Sequence, residues 1–195
     1  MKKLLAALAL AGLAGTTFAQ TAAYVDLQNT DAAGAPDQQQ VTLGLKRQVT
    51  DLFAIDGAVQ LNQNEYSDTA SKSYKTGGRY ELGVTAQKAI FGPVDGYARL
   101  GIGQKAPSLT ERFTYHSQEV GVVYHAPFNL HAKVGYRARS AFSDGKGDTS
   151  NTTRYALTYD INKTNSITLR RDELRADSAN GGNNTTNGIQ YTVKF

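Results

Sequence analysis

One pattern governs the chain from Gln20 onward: apolar and polar residues alternate with a period of two. Val41, Leu43 and Leu45 oppose Thr42, Gly44 and Lys46, and Tyr80, Leu82, Val84 and Ala86 oppose Arg79, Glu81, Gly83 and Thr85. Leu130, Ala132, Val134, Tyr136 and Ala138 oppose His131, Lys133, Gly135, Arg137 and Arg139. Successive side chains of a strand point to opposite faces, so this pattern builds a sheet with one apolar and one polar face. A helical repeat of 3.6 is almost absent. Alternating segments fall near 22–29, 39–48, 52–63, 78–88, 94–104, 113–124, 129–141, 152–160, 165–174 and 187–195. The chain is therefore expected to be all-β.

The connections carry a second pattern. Gaps 30–38, 64–77, 105–112, 142–151 and 175–186 are long and rich in Asn, Asp, Ser, Thr, Gly and Lys, whereas 49–51, 89–93, 125–128 and 161–164 are short. Long and short connections alternate strictly, which gives a sheet all its long loops at one end, as in a membrane barrel. A soluble sandwich has no reason to sort its loops this way. Ten strands of about 11 residues use ~110 of the residues after Ala19 and leave ~66 for nine connections. Eight strands would demand longer loops and twelve would starve them.

Residues 1–19 stand apart. Lys2 and Lys3 precede an apolar run from Leu4 to Ala14, and Gly15 to Ala19 supplies small residues around a cut after Ala19. This is the layout of a secretory signal peptide, with an apolar run too short to anchor in a bilayer. The barrel domain is then expected to occupy 20–195. Removing Lys2 and Lys3 leaves 19 cations against 17 anions, so the basic balance gives no support to nucleic-acid binding. The absence of Cys excludes a disulfide framework, a thiolate metal site, a Cys nucleophile and a lipidated N-terminal Cys. No cofactor is expected.

The polar phase is read as the inner face and the apolar phase as the outer one. Phe53, Tyr124, Phe128, Tyr159 and Phe195 would then ring the short-turn end, with Tyr80, Tyr136 and Tyr155 towards the long-loop half. Aromatic rings favour the depth of lipid headgroups, which explains such girdles. A soluble barrel would invert the faces, and it leaves the leader, the loop parity and the chain end unexplained together. The final strand carries Tyr191, Val193 and Phe195 on its apolar face. This ending resembles the C-terminal signature of bacterial outer-membrane β-barrels, and the chain is similar to a small porin-type or OmpA-like transmembrane barrel. The resemblance implies a closed antiparallel up-and-down barrel in the outer membrane of a Gram-negative bacterium. It also implies contact with outer-membrane lipid and lipopolysaccharide, and a last strand read by the barrel-assembly machinery.

Inside such a barrel the phase places Lys46, Arg79, Arg99, Lys133, Arg137, Arg139, Arg154, Arg170 and Lys194 with Asp26, Asp56, Glu81, Glu119, Asp160 and Asp172. These nine cations and six anions predict either a sealed interior in which charges pair, or a narrow channel that prefers anions because Arg and Lys rings select for them. Gly83, Gly101, Gly103, Gly121 and Gly135 point inward on four consecutive strands. They would leave one wall bare opposite Arg154 and Arg170, unless long Arg side chains or Tyr97 fill it. Arg47 and Arg171 fall in the outward phase; Arg47 lies beside a turn, and Arg171 is assigned to a bulge or the external membrane edge.

Catalysis finds little support. His116 and Ser117 are adjacent and must point to opposite faces, which separates them as a catalytic pair. No Asp-x-Asp or Asp-x-His motif accompanies His125 or His131. The loop around Asp144, Lys146 and Asp148 lacks the acidic density of a calcium site. Asn151-Thr152-Thr153, Asn162-Lys163-Thr164 and Asn183-Asn184-Thr185 match a glycosylation pattern that has no meaning in a bacterial exported barrel. The expected function is passage of small, preferably anionic, solutes. The rival is a non-conducting surface protein that binds partners through loop residues such as Tyr66, Tyr74 and Arg112.

Overall fold

The computed structural model describes residues 20–32, 38–68, 71–106, 112–142, 149–176 and 183–195, with side chains 32, 64–75 and 176 excluded. Residues 1–19 and the parts of the long loops outside these ranges, including Asp144 to Asp148 and the side chains of Tyr66 and Tyr74, are not described. Ten strands follow in order: β1 Thr21–Ala32, β2 Gln38–Gln48, β3 Phe53–Asp68, β4 Ser71–Phe91, β5 Val94–Ala106, β6 Phe113–Ala126, β7 Leu130–Ala141, β8 Ser150–Asp160, β9 Asn165–Ala176 and β10 Asn184–Lys194. Each pairs antiparallel with its chain neighbours, and β1 pairs with β10, so the sheet closes into an up-and-down barrel. At the seam Val25 faces Tyr191 and Ala22 faces Lys194, while the Phe195 N–H donates to the Thr21 carbonyl at 2.8 Å.

The faces are those of a membrane barrel. Leu82, Leu100, Ile102, Val120, Leu169 and Ile189 project outward and are more than half exposed or close to it, whereas Asp26, Glu81, Ser117 and Glu119 are buried inside. Leu43, Val84 and Val134 lie on the same outer face, and the apolar belt runs around every strand. A water-facing protein rarely exposes so large an apolar surface; hydrocarbon is the medium that suits it. Closure also leaves no unpaired sheet edge inside the belt, as a strand in lipid requires.

Aromatic rings gather at the short-turn end: Phe53, Phe91, Tyr124, Tyr159 and Phe195 are all well exposed, and Phe128 is 92% exposed in the Pro127-Phe128-Asn129 turn. Phe128 and Asn129 adopt positive φ values of 65° and 60°. That backbone is costly for a bulky residue, and it thrusts the Phe128 ring into the surrounding medium. At the other end Tyr80 and Phe142 are exposed, whereas Tyr136 and Tyr155 sit near mid-strand rather than in an outer girdle.

One expected loop is strand. The sequence pattern makes 64–77 a connection, yet β3 runs to Asp68 and β4 starts at Ser71, with Glu65 facing Tyr74. This hairpin extends past Gly78, the last β4 residue paired to β5, and past Asn64, the last β3 residue paired to β2. A two-stranded ribbon outside the belt has no lipid face, so it needs no apolar alternation. Its polar sequence hid it.

Candidate functional site

Every lumen charge assigned from the sequence phase points inward, and the strands bring most of them together as ion pairs. Glu81 on β4 is one centre. Its carboxylate meets Arg99 Nη1 at 2.5 Å, pairs with Arg137, and accepts from Tyr115 at 2.7 Å and Ser117 at 3.3 Å. Arg99 reaches back to Asp56 on β3 with Nη2 at 2.5 Å and Nε at 3.0 Å. Glu119 on β6 is the other centre. It takes Arg154 at 2.7 Å, Lys133 at 3.3 Å and the Tyr97 hydroxyl at 2.8 Å. From Arg154 the chain continues to Asp172 at 3.3 Å, then Arg170 at 3.4 Å and Asp26 at 2.6 Å. Neutral walls of strands surround these groups, so each carboxylate is stable only because cations and hydroxyls satisfy it.

These ion pairs line β4 to β9 and reach across to Asp56 on β3 and Asp26 on β1. The rest of the lumen is mostly amide and hydroxyl. Gln60 on β3 donates to Gln28 on β1 and to Gln40 on β2, and Thr30 bonds Thr186 at 2.7 Å. Lys46 on β2 and Arg79 on β4 stand apart from the ion pairs above.

The glycine wall is not bare. A Cβ on Gly135 would meet the Tyr97 hydroxyl, and one on Gly121 would lie 2.7 Å from the Tyr97 ring. Tyr115 covers Gly103, and the Arg99 guanidinium lies over Gly83. At Gly101 the space belongs to Ser117 Oγ at 2.6 Å and Glu81 Oε1 at 2.9 Å. On the opposite side Tyr24 lies over Gly44 in the same way. Apart from Gly101, the glycines are therefore seats for inward tyrosines and one arginine, and the passage expected between a bare wall and Arg154 is closed at those positions. A glycine in a strand often marks such a close approach.

Open space remains in two cavities. One of about 290 Å³ lies towards the long loops; Arg79, Lys105, Arg137, Arg139, Arg154 and Asp172 are its charged lining, with Gln28, Gln40 and Gln60 opposite. The other, about 390 Å³, lies towards the short turns, with Lys46, Asp56, Lys133, Thr168 and Arg170 in its wall. Gln28, Gln60, Arg79, Arg137 and Arg154 border both cavities, so the neck between them sets three guanidinium groups against two carboxamides.

Sequence reasoning missed two charged lumen groups. Lys105 lines the upper cavity, and Asp95 faces inward at the short-turn end, where Gln87 donates to it at 2.9 Å. Both lie in the inward phase of β5, two and four residues from assigned positions, so the alternation already held the signal. His125 and His131, read separately, are cross-strand partners beside Asp95 and Asp160. His116 and Ser117 do diverge: His116 packs against Phe142 outside, while Ser117 is buried inside. Arg171 marks no bulge, because β9 keeps unbroken register with β8 and β10. It pairs with Glu173 at 3.0 Å on the outer face near the long-loop end. Tyr191, Val193 and Phe195 lie on the outward phase of the closing strand, and the Tyr191 hydroxyl donates to Asn165 at 2.7 Å.

No protein-family model and no curated protein matches the sequence. Solved structures match the fold. The NanC porin superposes with a TM-score of 0.56 at 11% identity, over 88% of this chain and all of that one. An outer membrane channel from Pseudomonas putida F1 gives 0.52 at 10% identity over 91% and 95% of the two chains. The β domain of the Bordetella autotransporter BrkA gives 0.51 at 10% identity over 91% and 99%. The chain has the fold of the small outer-membrane β-barrels.

Proposed function

We propose that this protein resides in the bacterial outer membrane, reached through a cleaved leader at 1–19, and passes small anionic solutes through a narrow lumen. The short turns then face the periplasm and the long loops face outward, as the parity of the connections suggests. The observation that carries the reading is the neck. Arg79, Arg137 and Arg154 border both cavities there, and no carboxylate is common to the two linings. Glu81 and Glu119 hold Arg137 and Arg154 from below, so Arg79 is the neck cation outside the ion pairs. A solute crossing the neck meets guanidinium groups on one side and the amides of Gln28 and Gln60 on the other. Cations are repelled there and anions are hydrogen-bonded, the principle by which Arg and Lys rings select. The two channel proteins among the similar folds support a conducting role. The autotransporter domain shows that the fold serves other tasks too.

A second reading draws on the ion pairs themselves. A lumen knitted by Glu81 and Glu119 could serve as a sealed scaffold that displays loops to a partner. Conductance of the refolded protein in planar bilayers decides between them. Discrete channels with a reversal potential on the anion side under a salt gradient support the pore. A silent bilayer containing correctly folded barrels overturns it in favour of the scaffold.

A further inference from the structure

At the short-turn mouth, away from the neck, two histidines face each other across the β6–β7 hairpin. His125 and His131 are directly paired in register, and their Nδ1 atoms lie 2.9 Å apart. The outer nitrogens are anchored. His125 Nε2 bonds Asp95 Oδ2 at 2.9 Å, and His131 Nε2 bonds Asp160 Oδ2 at 3.0 Å. The carboxylates are themselves fixed, Asp95 by Gln87 at 2.9 Å and Asp160 by Lys194 at 3.2 Å.

The hydrogen bonds determine the tautomers. A carboxylate only accepts, so both Nε2 atoms must carry protons. In two neutral rings both Nδ1 lone pairs then point at the same small space, with no donor between them. That contact is repulsive unless something positive occupies it. The groups in direct contact with the two rings are the carboxylates of Asp95 and Asp160, which favours a cation between the rings. Lys133, the next inward residue on β7, is engaged by Glu119 and the Tyr97 ring.

We propose that His125 and His131 form a binding site for one late first-row divalent metal ion, copper(II), nickel(II) or zinc(II), at this mouth. Imidazole nitrogen suits these ions. A carboxylate behind each ring, taking the proton of the other nitrogen, is the arrangement that orients metal-ligating histidines. Bonds of about 2.0–2.1 Å separate two ligand nitrogens by roughly 3.3 Å in the tetrahedral geometry of zinc and by roughly 2.9 Å at cis positions of the tetragonal geometry of copper(II) and nickel(II), so the rings need part by at most a few tenths of an ångström. Room for this exists: the His125 side chain is 40% exposed and the His131 side chain 27%. Among the described residues no group of three or more His, Cys, Asp or Glu converges. Water therefore completes the coordination sphere, and the site exchanges its ion with the surrounding solution.

The test uses the refolded, untagged chain from Gln20 to Phe195 in detergent micelles at pH 7.5. Titration with copper(II) should show one saturable site per chain, and its electron paramagnetic spectrum should carry the splitting of two equivalent nitrogens. His125→Asn and His131→Asn should each weaken binding at least tenfold. Asp95→Asn and Asp160→Asn should weaken it by a factor on the order of 10–100. The chain has three histidines, so His116→Asn is the control and should change nothing. Should a variant fail to fold, the wild-type protein still decides, through the one-to-one stoichiometry and the two-nitrogen splitting of its copper(II) spectrum. Absence of a one-to-one copper site in the wild type, or binding that survives both histidine substitutions, overturns the proposal. The 2.9 Å contact is then a pair sharing a single proton.

Discussion

The two walls of the lumen solve the same problem by different chemistry. From β4 to β9 the inward groups are mainly ions, and each carboxylate is shared among several cations and hydroxyls. From β10 through β3 the wall is mainly Gln, Asn and Thr, bonded largely neutral group to neutral group, with Asp26 and Asp56 reaching across to the ionic wall. The difference is one of consequence. A neutral hydrogen bond contributes about 1 kcal/mol net, and its loss leaves a modest debt. Removing one member of a buried ion pair leaves a charge unpaired and costs about 3–5 kcal/mol. The ionic wall is therefore brittle and the amide wall forgiving.

The largest effect should come from Glu81→Gln, which takes the negative charge from Arg99 and Arg137 together. Urea unfolding of barrels in lipid vesicles should show a loss of about 3–5 kcal/mol. Gly135→Leu should follow, at about 1–3 kcal/mol, because the new side chain claims the space of the Tyr97 hydroxyl and breaks its bond to Glu119; the same unfolding assay reads it. Gln60→Ala removes the hinge of the amide wall and should cost only about 0.5–1.5 kcal/mol. A cost equal to that of Glu81→Gln would erase the contrast between the walls. The smallest change in stability belongs to Arg79→Gln, which breaks none of the ion pairs described above. It should nevertheless move the reversal potential towards cation preference. If selectivity is unaltered, Arg79 does not set the charge of the neck.

Much of this was open to reading from the chain. Strand number, order, inward phase and the sorting of connections all follow from alternation, because a closed sheet between lipid and a polar interior must alternate at every position. The Ser- and Lys-bearing ribbon of 64–68 and 71–77 escaped that logic because only the part of a strand inside the belt is obliged to alternate. Pairing escaped it too. Phase says that Arg99 and Asp56 face inward, yet their contact depends on stagger between β3 and β5, which no single segment encodes. Gly135 and Tyr97 illustrate the same limit: the sequence marks a missing side chain on β7, but the residue that uses the space sits two strands away. The Asp95–His125–His131–Asp160 row was hidden for this reason, since its four members come from four strands.

The seam between β1 and β10 has a consequence for how the molecule is made. Thr21 and Phe195 are neighbours in space and far apart along the chain, so the last strand must arrive before the first has both of its partners. Until then the growing sheet exposes two adhesive margins and an oily outer surface to water, conditions that favour aggregation. Folding in stages during synthesis gains little for such a molecule. It has to be kept loose, delivered to a bilayer and sealed in a single late event.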